Sequence, residues 1–203
     1  CLVFSLYHEG ELHEVNLDDL STTVVYRSSV FKPGKLVMID KDVLAAEGYK
    51  SPSRSLRILS TCTTPYLCVR VVKHPYQSIN DLCYFPSLGV SVMPPFKAQS
   101  VVAIELQYGK TKWKQSRADR PSIRPWSVTA RVATNTLYIA DGQTDSVLEF
   151  TVSKTGAKFT QTIATKASHN IGRLEMVKWS DENNMLVVMH CKNRQYLLTW
   201  LKL

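Results

Sequence analysis

The sequence predicts an all-β fold of the β-propeller type, and three observations carry that prediction. The first is a repeated phrase. Leu137-Tyr138-Ile139-Ala140-Asp141-Gly142 runs through a polar stretch into Ser146-Val147-Leu148-Glu149-Phe150, and Met185-Leu186-Val187-Val188-Met189-His190 runs likewise into Tyr196-Leu197-Leu198-Thr199-Trp200. A looser copy lies upstream in Leu88-Gly89-Val90-Ser91-Val92 and Val101-Val102-Ala103-Ile104. A period of about fifty residues is that of propeller blades. The second observation is the punctuation: short β-branched and apolar runs between Pro, Gly, Asn and Asp, the grammar of strands and tight turns. The third is that the second strand of each unit (Val90–Met93, Leu137–Ala140, Leu186–Met189) is nearly all apolar, as a strand covered on both faces must be. No unit can cover its own faces, so several must stack. A sandwich or barrel is the alternative, but it does not repeat at this period.

The elements follow in order. Leu2 to Tyr7 is an apolar strand, Glu9-Gly10 a turn, and Leu12, Val15 and Leu17 mark a second strand. Thr22 to Tyr26 is β-branched, Pro33-Gly34 turns, and Leu36 to Ile39 is the next strand. Asp40 to Lys50 is expected to be a helix, with Asp40 as its cap and Gly48 near its end. Leu56 to Leu59 and Leu67 to Val72 form a hairpin around Thr64-Pro65. The regular units begin at Ile79. Their strands are Asp81 to Phe85, Val90 to Met93, Val101 to Leu106 and a weak Lys112 to Lys114; then Pro125 to Ala130, Leu137 to Ala140, Val147 to Val152 and Phe159 to Ile163; then Leu174 to Trp179, Met185 to His190 and Tyr196 to Leu201. The expected organisation is one propeller domain over 1-203 with about five units. Weak blades occupy 1-77, and clear blades occupy 78-118, 119-168 and 169-203. The units read as a complete small ring or as part of a larger one.

At Leu137 to Asp141 and Ser146 to Phe150 the chain resembles NHL-type propeller blades, and Pro125-Trp126-Ser127-Val128 resembles the opening of such a blade. The resemblance covers residues 78 to 203. It implies a scaffold that binds proteins or RNA. Related six-bladed rings include lactonases and other metal-dependent hydrolases, so it also implies the alternative of a lactonase-like, metal-dependent hydrolase.

At 203 residues the chain can build one sizeable core, or two small ones, and 44% hydrophobic with 21% charged residues is an ordinary globular composition. No apolar run approaches the roughly 20 residues of a membrane helix. Residues 1 to 7 lack the basic leader and cleavage site of an intact signal peptide. The five cysteines, Cys1, Cys62, Cys68, Cys83 and Cys191, show no Cys-x-x-Cys pair and no zinc spacing. Those beside strands are expected to be buried thiols, with a Cys62–Cys68 bridge as the alternative. Cytoplasmic residence is the expectation that follows.

The net charge of +8 invites an anionic partner. Its densest stretch holds Lys110, Lys112, Lys114, Arg117, Arg120, Arg124 and Arg131, opposed only by Asp119 and interleaved with Trp113 and Trp126. Cations among aromatics can grip single-stranded RNA by phosphate contact and stacking, or an acidic protein by charge. Lys110, Lys112, Trp113, Lys114, Arg117, Arg120, Arg124 and Arg131 are therefore the candidate binding residues. Asp141, Asp145, His169 and His190 would have to converge for catalysis. Asp141 is better explained as a hydrogen-bond acceptor in its turn. His190 beside Cys191 lacks a flanking catalytic motif, and His8 and His13 are spaced too loosely for a metal. No cofactor, metal or catalytic residue is assigned. The expected function is that of a non-catalytic scaffold.

Overall fold

The structure, a computed structural model, describes residues 2–48, 54–76, 78–115 and 123–203. Its strands form five antiparallel sheets, three of four strands and two of three, so the all-β expectation holds. The chain divides into two compact units, Cys1–Ile79 with Leu106–Gly109, and Asn80–Glu105 with Lys110–Leu203.

The first unit contains two sheets. One is β1 (Leu2–Leu6), β2 (Glu11–Val15) and β3 (Thr22–Arg27); the other is β4 (Pro33–Asp40), β5 (Val43–Gly48), β6 (Ser55–Ser60) and β7 (Leu67–Lys73). Leu12, Val25, Tyr26 and Phe31 meet Leu44, Ala46, Leu59 and Tyr66 in one core. Gly10 closes the first hairpin at φ +76°, where a Cβ would lie 2.2 Å from the Ser28 carbonyl oxygen. Only glycine fits a left-handed residue under that contact.

The helix expected over Asp40 to Lys50 is not formed. Val43–Gly48 is strand β5, paired with β4 on one side and β6 on the other. Asp40 caps a turn instead, accepting the Lys41 N–H at 2.7 Å. The run Leu44-Ala45-Ala46 has good helix propensity, but as β5 it buries on both faces, and burial outweighs a preference of tenths of a kcal/mol per residue. Tyr49 and Lys50 lie outside the described residues.

The second unit contains three sheets. They are β8 (Cys83–Phe85), β9 (Val90–Met93), β10 (Val101–Glu105) and β11 (Thr111–Gln115); β12 (Pro125–Arg131), β13 (Thr136–Asp141), β14 (Ser146–Val152) and β15 (Ala157–Thr165); and β16 (Arg173–Ser180), β17 (Met185–Lys192) and β18 (Gln195–Lys202). The strand spacing read from the sequence agrees with these within a few residues at each end. Alternation on β13 shows why its run is apolar throughout. Leu137 and Ile139 join the core shared with the β8–β11 sheet, while Tyr138 and Ala140 join the core shared with β16–β18. Among the described residues the only α-helix is the single turn α1 (Lys166–His169), capped by reciprocal Thr165 and Ser168 hydrogen bonds.

Polar groups tie these sheets at matching points. The buried Asp81 carboxylate accepts from the Ser127 hydroxyl at 2.5 Å and the Val128 N–H at 3.1 Å. Lys178 Nζ donates to both its oxygens, at 3.1 and 3.2 Å. The Ser127 oxygen in turn accepts the Val177 N–H at 3.1 Å. Asp81, just ahead of β8, is thus linked to Ser127 and Lys178 on the leading strands of the next two sheets, and two buried side chains satisfy each other and the Leu82, Val128 and Val177 N–H groups.

Candidate interaction face

The candidate binding residues fall on three separate places. Lys112 and Lys114 point outward from β11, an edge strand, while Trp113 between them points inward. This is the period of two expected for a strand. Trp113 is 7% exposed and belongs to the core with Phe85, Val101 and Ile123. It cannot stack on a base. Lys112 pairs with Glu105 at 3.1 Å. Lys110 and Lys114 are exposed.

Arg124 and Arg131 sit at opposite ends of β12. Six residues of strand separate them by about 20 Å. Arg124 is exposed and lies over the half-buried Trp126 ring, 5.7 Å from its centroid. Arg131 lies over Trp179 at 4.7 Å and donates to Asn184 Oδ1 at 2.9 Å. Each guanidinium is held by an aromatic face, a contact worth about 0.5–1 kcal/mol at exposed sites. Arg117 and Arg120 lie outside the described residues. Arg131 therefore belongs to a different end of the sheet from Arg124, and it supports the turn at Asn184.

The residues considered for catalysis do not converge. Asp141 is 1% exposed. It accepts the N–H groups of Arg124 and Gln143, at 2.8 and 3.1 Å, and the Thr144 hydroxyl at 2.6 Å. This is the turn role expected of it. His190 is buried, accepts the Gly172 N–H on Nδ1 at 3.0 Å and contacts Thr199 Oγ1 through Nε2 at 3.0 Å. That pattern places its proton on Nε2. Burial, then the nearby Lys192 charge, lower its pKa. Asp145 accepts the Leu174 N–H at 3.3 Å, and the exposed His169 contacts Ser168 at 2.8 Å.

The thiol expectation holds only at Cys83, which is buried, its pKa pushed up by desolvation and then by Asp81. Cys62 is exposed, Cys68 and Cys191 are half-buried, and all three are free thiols. Cys62 stands out in solvent because the β6–β7 turn carries it beyond the sheet. Cys1 lies outside the described residues.

Sequence reasoning passed over one cluster. It paired His13 with His8, yet the structure places His13 beside Glu9 and Glu11. The Glu-x-His alternation on β2 was the available signal, because residues two apart share a strand face.

No protein-family model matches the chain, and no curated protein matches it. Solved structures do. A chain in the crystal structure of a nidogen/laminin complex superposes with a TM-score of 0.71 at 11% identity, over 97% of this chain and 72% of that one. The β-propeller domain of Myceliophteria thermophila Cps50 (Swd1) gives 0.64 at 10% identity, over 98% of this chain and 65% of that one. The fold is a β-propeller. A candidate 6-phosphogluconolactonase from Bacteroides uniformis gives 0.65 at 9% identity, over 98% of this chain and 67% of that one. At such identities the likeness establishes the propeller architecture, whose five sheets are its blades, and not an activity.

Proposed function

We propose that this propeller is a non-catalytic interaction scaffold that binds an acidic protein surface through the strand β11 and Arg124 region. The observation that carries the reading is the split on β11: Lys112 and Lys114 face outward while Trp113 is locked in the core. The charge half of an RNA-binding surface is there, but its interior tryptophan is not available for stacking. That favours a partner recognised by charge over single-stranded RNA. We place the whole of 1-203 in one domain for this role, with NHL-like blades as the finer description and cytoplasmic residence as the setting. Arg117 and Arg120 extend the same basic stretch. The lactonase-like reading has less support, because Asp141, Asp145, His169 and His190 each serve a local hydrogen bond.

The test is fluorescence anisotropy with two probes, a poly-glutamate peptide and a twelve-residue oligouridine. The peptide should bind the wild-type chain, and binding should weaken as salt rises. Reversing Lys110, Lys114 and Arg124 to Glu should weaken it about tenfold or more. Tighter oligouridine binding, or indifference to charge reversal, would refute the reading.

A further inference from the structure

The first sheet carries a group of ligand-type side chains far in sequence from the basic stretch. Glu9, Glu11 and His13 bring one donor atom each to within 4.8 Å of one another. The set is mixed, one imidazole nitrogen and two carboxylate oxygens. Glu11 and His13 share a face of β2, and Glu9 stands in the turn that leads into it. The placement is built by the backbone. The Leu6 carbonyl accepts the N–H groups of Glu9 and Gly10, at 3.1 and 3.0 Å. Phe4 stacks on the His13 ring with centroids 5.4 Å apart, fixing its plane. Glu11 is 8% exposed, so its carboxylate is not a freely solvated surface acid.

We propose that Glu9, Glu11 and His13 bind a divalent transition-metal ion of the zinc class. Such ions take imidazole nitrogen and carboxylate oxygen together at about 2.0–2.2 Å, with water completing the shell. Calcium and magnesium prefer all-oxygen sets, and the imidazole counts against them. The donor atoms must draw closer than 4.8 Å, and Glu9 is exposed and free to rotate inward. His13 Nε2 is 2.8 Å from Glu11 Oε2. To ligate, it presents its lone pair, with the ring proton on Nδ1.

Arg27 gives the proposal its sharpest edge. Its Nε donates to Glu11 Oε1 at 2.7 Å, and its side chain is 71% exposed. It is a cation already using one carboxylate of the site, and nothing buries it there. With Arg27 on Oε1 and the ion on Oε2, two positive charges would meet across the one Glu11 carboxylate, and their repulsion would weaken binding of the ion. A purely structural Arg27–Glu11–His13 triad has no such repulsion. All three ligands come from one hairpin, so the site is distinct from any held by acids of several blades, and it is independent of the β11 surface.

The experiment titrates the full chain with Zn²⁺ against a chromophoric chelator, with Ca²⁺ in parallel. One equivalent of Zn²⁺ should bind, with Ca²⁺ at least about tenfold weaker. His13→Gln and Glu9→Gln should each weaken Zn²⁺ binding about tenfold or more, whereas His8→Gln should not change it. Arg27→Gln should tighten it. Glu9 is exposed in a turn, so Glu9→Gln keeps the fold and remains informative if His13→Gln does not. No stoichiometric Zn²⁺ binding, or binding that survives both His13→Gln and Glu9→Gln, overturns the proposal. So does an Arg27→Gln variant that binds no more tightly than wild type.

Discussion

Asp141 holds its turn by accepting three hydrogen bonds while almost wholly buried. Removing it strands two backbone donors, so Asp141→Ala should cost about 3 kcal/mol in urea unfolding, with Asp141→Asn retaining part of that. The Asp-Gly step made this role legible in the sequence. The matching role of His190, which accepts the Gly172 N–H, was not legible, because no turn residue follows it as Gly142 follows Asp141. Gly172 itself is required there: a Cβ would stand 2.2 Å from the Cys191 carbonyl oxygen. Two buried titratable groups of the first unit contribute to its pH response in opposite directions. Desolvation raises Glu47 to about 8, and desolvation lowers His74 to about 4. Glu47 keeps its proton longer in the folded than in the unfolded state, so its contribution fades as pH rises from the ordinary value of 4.5 to about 8. His74 resists protonation when folded, so its contribution fades as pH falls from 6.5 towards 4. Between pH 6.5 and 8 only Glu47 of this pair acts. Stability should therefore decline across that window, by at most about 1.4 kcal/mol per pH unit, and Glu47→Gln should flatten it. Urea midpoints at several pH values check this.

At the scale of elements, most strands were read correctly where an apolar run stood between turn residues, but Pro33-Gly34, expected to turn, opens β4 in register with Gly48, Leu17 lies beyond the end of β2, and β5 was misread because it carries helix-favouring alanines. The turns between first and second strands repeat more faithfully than the sequence suggests. Gly89 and Asn135 each close a short 3-10 turn in the left-handed conformation, and Asn184 adopts it at φ 49°. Gly and Asn are the residues that tolerate that region, so one geometry hides behind two letters. Neighbouring turns are joined as well: Ser87 Oγ donates to Asn135 Oδ1 at 2.8 Å, and Arg131 reaches Asn184. The Asp81–Ser127–Lys178 link was invisible beforehand, because its partners lie 46 and 97 residues apart. Its members should not contribute equally. Asp81→Ala removes the acceptor of the buried Leu82 and Val128 N–H groups and the shorter acceptor of the Ser127 hydroxyl, and should cost on the order of 2–4 kcal/mol. The Lys178 side chain is 43% exposed, so Lys178→Met should cost less than about 1 kcal/mol. Chemical denaturation of the two variants tests the order.

Across the whole molecule, burial ranks the sheets. Strands β9 and β13 are wholly or almost wholly buried, whereas β7 exposes Leu67, Val69 and Val71, and β18 exposes Tyr196, Leu197, Leu198 and Trp200. Amide hydrogen exchange should accordingly be slowest in β9 and β13 and fastest along β7 and β18. The exposed apolar edge of β18 is also an aggregation liability. Leu198→Lys should reduce light scattering on concentration while shifting stability by no more than about 0.5 kcal/mol. What the sequence could not supply at this scale is the partner, because Lys110, Lys114 and Arg124 advertise charge without naming what meets it.

Each of the three sheets of the second unit must catch an incoming backbone N–H at the far end of its middle strand. Asn80 is caught by the Pro94 carbonyl at 2.8 Å, Arg124 by the Asp141 carboxylate and Gly172 by the His190 imidazole. One task is thus discharged by an amide oxygen, an acid and a base. A repeat defined by a bond and not by a letter can wander freely through the alphabet. Descendants of one ancestral blade could keep every such bond and still look like strangers when their sequences are laid side by side.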